Sequence, residues 1–164
     1  MRRIVAVLIL TIMLIGCESS QDQIVEQMDK IVFLHHSTGK RIYVGEPNRI
    51  MYKLTRKGDV VSYIEKYNKD HNTNYQITER EFPARSPYGW KNYPYDYYNI
   101  WVKNAGEEPY MEEPTLEILT KEYGIIIIKH CYPVSAIEED TGHPDINSED
   151  KRLENYKLQY QALK

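Results

Sequence analysis

Apolar positions along this chain fall into short blocks, and the spacing within each block predicts its element. Ile31, Val32, Phe33 and Leu34 form an unbroken apolar run that passes directly into His35, His36, Ser37, Thr38 and Gly39. A run of this kind predicts a buried parallel strand that stops at a functional loop. Alternation over residues 75–78 predicts a second short strand, and the Ile125-Ile126-Ile127-Ile128 run predicts a third, buried on both faces. Between them, Val60, Val61, Ile64 and Tyr67 mark one face of a helix with Asp59 as its N-cap, which should stop near residues 68–74. Ahead of that helix, Ile42-Tyr43-Val44 leads into a Gly45-Glu46-Pro47-Asn48 turn. Leu116, Leu119 and Tyr123 mark another helix, with Pro114 in its first turn and Gly124 at its stop. A last helix from about residue 148 carries Leu153, Tyr156, Tyr160 and Leu163 on one stripe. Helix, glycine and strand in succession predict an α/β domain.

Residues 86–110 follow no single period. Tyr88, Trp90, Tyr93, Tyr95, Tyr97, Tyr98 and Trp101 are interleaved with Pro, Asn, Asp and Gly, with room for a short helix over 96–103. A long aromatic segment of this kind either packs over the domain or binds a ligand. Most of its rings read as packing groups. Tyr88 and Trp90 are the candidates for exposed rings that stack on sugar C–H faces.

The chain of 164 residues has room for one domain. A net charge of −3 with mixed signs gives no footprint for nucleic acid, and its five histidines are dispersed without zinc-finger spacing. The N-terminus reads as a targeting segment. Arg2 and Arg3 precede an apolar stretch over 4–15 that is short for a membrane span. It ends in Leu14-Ile15-Gly16-Cys17, which resembles the bacterial lipobox. That resemblance implies a signal peptide over 1–16 and lipidation of Cys17, by palmitate among other acyl chains, with an ordinary signal peptide or anchor and a chance cysteine as the alternative. It also implies a polar tether over 17–29 and a domain over 30–164 held outside the cytoplasm on the cell envelope. Membrane lipid is then one partner. The other cysteine, Cys131, is left without a disulfide partner and reads as a small buried hydrophobe.

Candidate chemistry concentrates where the first strand ends. Ligands of open α/β sheets sit beyond the carboxyl ends of strands, so Ser37 is the candidate nucleophile, with a simple helix-capping serine as the alternative. If the first and third strands are parallel, Lys129-His130-Cys131-Tyr132-Pro133 leaves the same edge. His36 and His130 are then candidates to line the site, although alternation lets only one of His35 and His36 face it. His130, His143 and Asp145, with His35, contain metal-ligand types, but a Gly-His-Pro-Asp turn accounts for His143 and Asp145; no metal and no cofactor is expected.

Phe33-Leu34-His35-His36-Ser37-Thr38-Gly39 resembles the first block of the SGNH (GDSL-like) hydrolase superfamily. The form is that of a divergent bacterial branch in which His-Ser-Thr/Val-Gly replaces Gly-Asp-Ser. The resemblance runs from 31 to 164 through Tyr75-Gln76-Ile77-Thr78-Glu79, Tyr93-Pro94-Tyr95-Asp96 and the 129–133 block. It implies a three-layer, flavodoxin-like parallel sheet and ester hydrolysis through Ser37. Gly39, His36 and His130 would lie in the binding site with Tyr88 and Trp90, and an O-acylated carbohydrate is the first candidate substrate. The pattern also requires an Asn after a later strand and Asp-x-x-His near the C-terminus. Here the strand exit reads Lys129-His130-Cys131, and the one Asp-x-x-His after Ile128, Asp140-Thr141-Gly142-His143, lies ahead of the last helix and not at the end of the chain. With three strands where such a sheet has about five, the expectation is a domain incomplete at its C-terminus, whose base lies beyond Lys164. The alternative is a non-catalytic binding or surface lipoprotein with a degenerate SGNH fold.

Overall fold

The computed structural model describes residues 27–46, 49–55, 57–89 and 91–164. Cys17 and Trp90, and with them the targeting segment and most of the tether, lie outside the described residues.

Three strands form one parallel sheet: β1 (Lys30–His35), β2 (Gln76–Glu81) and β3 (Ile125–Lys129), in the order β2-β1-β3. The register sets Ile31 beside Ile77 and Ile125, and His35 beside Glu81 and Lys129. β1 is therefore central, and every residue from Ile31 to His35 is buried. Between β1 and β2 run α1 (Thr38–Val44), α2 (Arg49–Thr55) and α3 (Asp59–His71). Between β2 and β3 run α4 (Pro94–Tyr98), a π-helical turn (Asn99–Lys103) and α5 (Leu116–Glu122). A 3-10 turn (Tyr132–Ser135) and α6 (Leu153–Ala162) complete the chain. The architecture is mixed α/β, a small parallel sheet flanked by helices.

Because side chains alternate along a strand, Val32 and Leu34 share a face with Ile126 and Ile128. They meet Phe82, Tyr97, Ile100, Trp101 and Leu119 in the main core. On the opposite face Phe33 stacks on Tyr43 of α1 at 6.3 Å and 18°, and the Tyr43 hydroxyl donates to Ile77 O at 2.9 Å. β3 is not buried on both faces: Ile125 and Ile127 are 39% and 41% exposed. It lies at the sheet edge, while α1 packs on β1 and α3 on β2 and α1. An all-isoleucine run therefore has one wet side.

The helix boundaries depart from expectation in instructive ways. Gly58, not Asp59, caps α3, because a Cβ there would stand 2.7 Å from Tyr43 O and Val44 Cα. Asp59 instead accepts the Glu46 N–H at 2.8 Å. α3 ends at Asn72 in the left-handed region, as its Asn-rich end predicts. Thr115 caps α5 and Pro114 sits just outside it. In α6 the buried stripe is Asn155, Tyr156 and Gln159, whereas Leu153 and Tyr160 are exposed. The buried amides secure the preceding loop: Asn155 Oδ1 accepts the Asp145 N–H at 2.8 Å, and Gln159 Nε2 donates to Ser148 O at 2.8 Å. No helix among the described residues is long and apolar enough to cross a membrane.

Candidate site at the carboxyl end of the sheet

Ser37 lies two residues beyond β1 and immediately before α1. Its backbone is at φ 42, ψ −101, near the conformation of about +60, −120 that a type II′ turn requires at its first central residue and that glycine normally fills. The cause is local. The chain must reverse into α1 within one residue, and Gly39 N donates back to His36 O at 2.8 Å while Lys40 N donates to Ser37 O at 3.1 Å. Ser37 occupies the N-cap position but makes no side-chain cap bond, so its exposed hydroxyl is not serving as a cap. Among the described residues nothing hydrogen-bonds it.

Gly39 holds this turn down on the sheet. A Cβ there would lie 2.3 Å from His35 Cβ and 2.5 Å from His35 Cγ. Its place is thus a close approach of backbone to a buried ring. From the neighbouring strand, the Lys129 ammonium donates to Thr38 Oγ1. This bond brings the exit of β3 against the residue beside Ser37. Among the described residues Lys129 has no carboxylate partner.

The three rim histidines are all engaged elsewhere. His35 is buried, and its Nε2 meets Glu79 Oε2 at 2.7 Å while Lys40 pairs with the other oxygen of that carboxylate. Burial first, then Lys40, holds the imidazole below its ordinary pKa. His36 is also buried, so alternation does not send one ring outward. It lies past the end of β1, where the strand period no longer applies, and its Nε2 donates to Pro83 O. Burial lowers its pKa as well. His130 donates Nδ1–H to Asn92 O at 3.0 Å, which leaves Nε2 to accept the Tyr160 hydroxyl proton. It stands edge-on to Tyr97 at 5.0 Å and 86°, and burial again lowers its pKa.

Asn92 was not legible as a site residue, yet it joins both flanking strand exits. It is fully buried at φ 64. Its Oδ1 accepts the Cys131 N–H at 2.6 Å, beyond β3, and its Nδ2 donates to Phe82 O, beyond β2, and to the Tyr97 hydroxyl at 2.9 Å. The only sequence signal is an asparagine, the non-glycine residue most at ease with positive φ, before Tyr93-Pro94. Cys131 itself is half-buried.

Tyr88 is half-buried, not freely exposed, and accepts from Asn99 Nδ2 at 3.1 Å. It lines a cleft of about 230 Å³ with Lys91, Tyr95 and Asp96. The structure does not bring His35, His130, His143 and Asp145 together: no group of three or more His, Cys, Asp or Glu suited to a metal ion occurs among the described residues.

Compared with models of known families, with curated proteins and with solved structures, the chain matches none.

Proposed function

We propose that this chain is an extracytoplasmic, lipid-anchored serine hydrolase of SGNH-like type that cleaves esters through Ser37, with an O-acylated carbohydrate as substrate. The observation that carries the reading is Ser37 itself: an exposed hydroxyl, free of capping duty, on a glycine-like turn between the central parallel strand and a helix. Backbone strain of this kind concentrates at functional residues, and strand–turn–helix hydrolases present their nucleophile on such a turn. The strand order β2-β1-β3 is also that of the first three strands of a flavodoxin-like sheet.

In this reaction Ser37 Oγ attacks the ester carbonyl, the alcohol leaves with the serine proton, and water releases the acid from the acyl-enzyme. Lys129, one residue away through Thr38, favours the negative charge that develops on the carbonyl oxygen. Anchoring is proposed through Cys17. The test is labelling of the full chain with a fluorophosphonate probe. Label should appear and vanish in Ser37→Ala; a folded, unlabelled protein overturns the reading. Palmitate incorporation lost in Cys17→Ser tests the anchor separately.

A second reading, a non-catalytic binding or surface lipoprotein, is favoured by one observation. His35 bonds Glu79, His36 bonds Pro83, and His130 bonds Asn92 and Tyr160, and among the described residues no hydrogen bond joins a histidine to the Ser37 hydroxyl. A serine without a proton acceptor is a poor nucleophile.

A further inference from the structure

The cleft beside Tyr88 has a composition that neither core packing nor the Ser37 chemistry accounts for. It encloses about 230 Å³ between the start of the aromatic segment, α4 and the loop before α6. Its floor carries Asp96, only 3% exposed, whose Oδ2 accepts the Tyr93 N–H at 2.6 Å. Asn99 Nδ2 donates to the Tyr88 hydroxyl at 3.1 Å, and the Asp96 carboxyl lines the same cleft. Tyr95 is among the lining residues, its ring tilted 54° from that of Tyr98 at 6.4 Å. At the rim Lys91 pairs with Glu149. Gly89 forms the lip at φ 124, and a Cβ there would meet nothing within 4 Å.

We propose that this cleft is a binding site for one ring of a neutral, hydroxyl-rich sugar. A sugar ring offers an apolar C–H face bordered by hydroxyls that both donate and accept. The Tyr95 ring provides a surface for the first. The carboxyl, phenol, amide and ion pair provide acceptors and donors for the second. A pocket lined by apolar and aromatic groups with a few fixed polar ones is the usual form of a small-molecule site. Strongly charged ligands fit less well, because Lys91 and Glu149 already neutralise each other across the opening. The volume suits a single ring and not a longer chain within the cleft. The site goes beyond the hydrolase reading and does not depend on it, since binding requires no turnover.

The test uses the full chain carrying Ser37→Ala and a panel of methyl glycosides of common neutral hexoses and N-acetylhexosamines. Binding is read by saturation-transfer NMR. At least one glycoside should show transfer concentrated on ring C–H protons. Tyr95→Ala should weaken its affinity tenfold or more, and Tyr95→Phe should restore it to within threefold, because the ring face and not the hydroxyl is invoked. No transfer from any glycoside to protein with an intact melting transition overturns the proposal, as does transfer that Tyr95→Ala leaves unchanged. Fluorophosphonate labelling separates the two readings: label without sugar binding removes the cleft alone, and sugar binding without label removes the hydrolase alone.

Discussion

Replacing Ser37 by glycine should make the protein more stable while removing its proposed nucleophile. The residue sits at φ 42, ψ −101, where a Cβ is disfavoured. Holding a non-glycine residue in such a region costs about 1–3 kcal/mol. Glycine removes that strain but gains about 0.5–1 kcal/mol of unfolded-state freedom. The balance is a gain of about 1 kcal/mol, or roughly 4 °C in melting temperature for a domain of this size. Alanine is the control. It keeps the Cβ, and hence the strain, and loses only an exposed hydroxyl without a bond. Ser37→Ala should therefore remain within about 0.5 kcal/mol of the parent. Urea denaturation of the three proteins, extrapolated linearly to water, gives both differences. A glycine variant no more stable than the alanine variant would show that the turn is unstrained, and the argument from strain to function would fail with it.

Gly39→Ala should act in the opposite direction. Its Cβ would enter the space of His35 Cβ at 2.3 Å, and relief requires lifting α1 from the sheet, at a cost of about 2–3 kcal/mol by the same denaturation assay. A loss below about 0.5 kcal/mol would refute the close approach. Stability should also fall in mild acid. Burial holds His36 and His130 below their unfolded pKa of about 6.5. The unfolded chain therefore takes up protons first as pH drops below that value, and stability declines from there down to the folded pKa values. Asp96 and Glu113, whose carboxyls burial raises, work against the decline at lower pH because the folded form then binds protons first. Melting temperatures from pH 7.5 to 5 should show the fall, and His130→Gln should flatten it. A profile level through pH 6 would refute it.

What the sequence made legible is what local pattern controls. The apolar runs ending at Leu34 and Ile128 gave two strands in parallel, and the Asn-rich stretch after Tyr67 marked the end of α3. The juxtaposition of Ser37's turn with the β3 exit was expected on the condition that the two strands run parallel; they do, and the Lys129–Thr38 bond joins the two exits. Burial was harder, because it belongs to neighbours. Ile125 and Ile127 look the same as Ile126 and Ile128 in sequence, and only the placement of α1 and α3 over β1 and β2 leaves them wet. α6 misled for the related reason that Asn155 and Gln159 are buried by bonds to a loop that has no periodic signature. The site partners are the least local of all. His36 meets Pro83, His130 meets Asn92, and Asn92 meets Cys131, pairings between distant segments that no spacing rule encodes.

Asn92 has a mechanical consequence. One amide side chain clasps the carbonyl of Phe82 on one flank of the central strand and the amide of Cys131 on the other, with Tyr97 as its backstop. The two outer strands are thereby tied together at the points where the chain leaves them. Those exits cannot spread or draw together without unfastening that clasp. The turn that carries Ser37 leaves the strand between them, so its surroundings are braced by a residue from a loop outside the sheet.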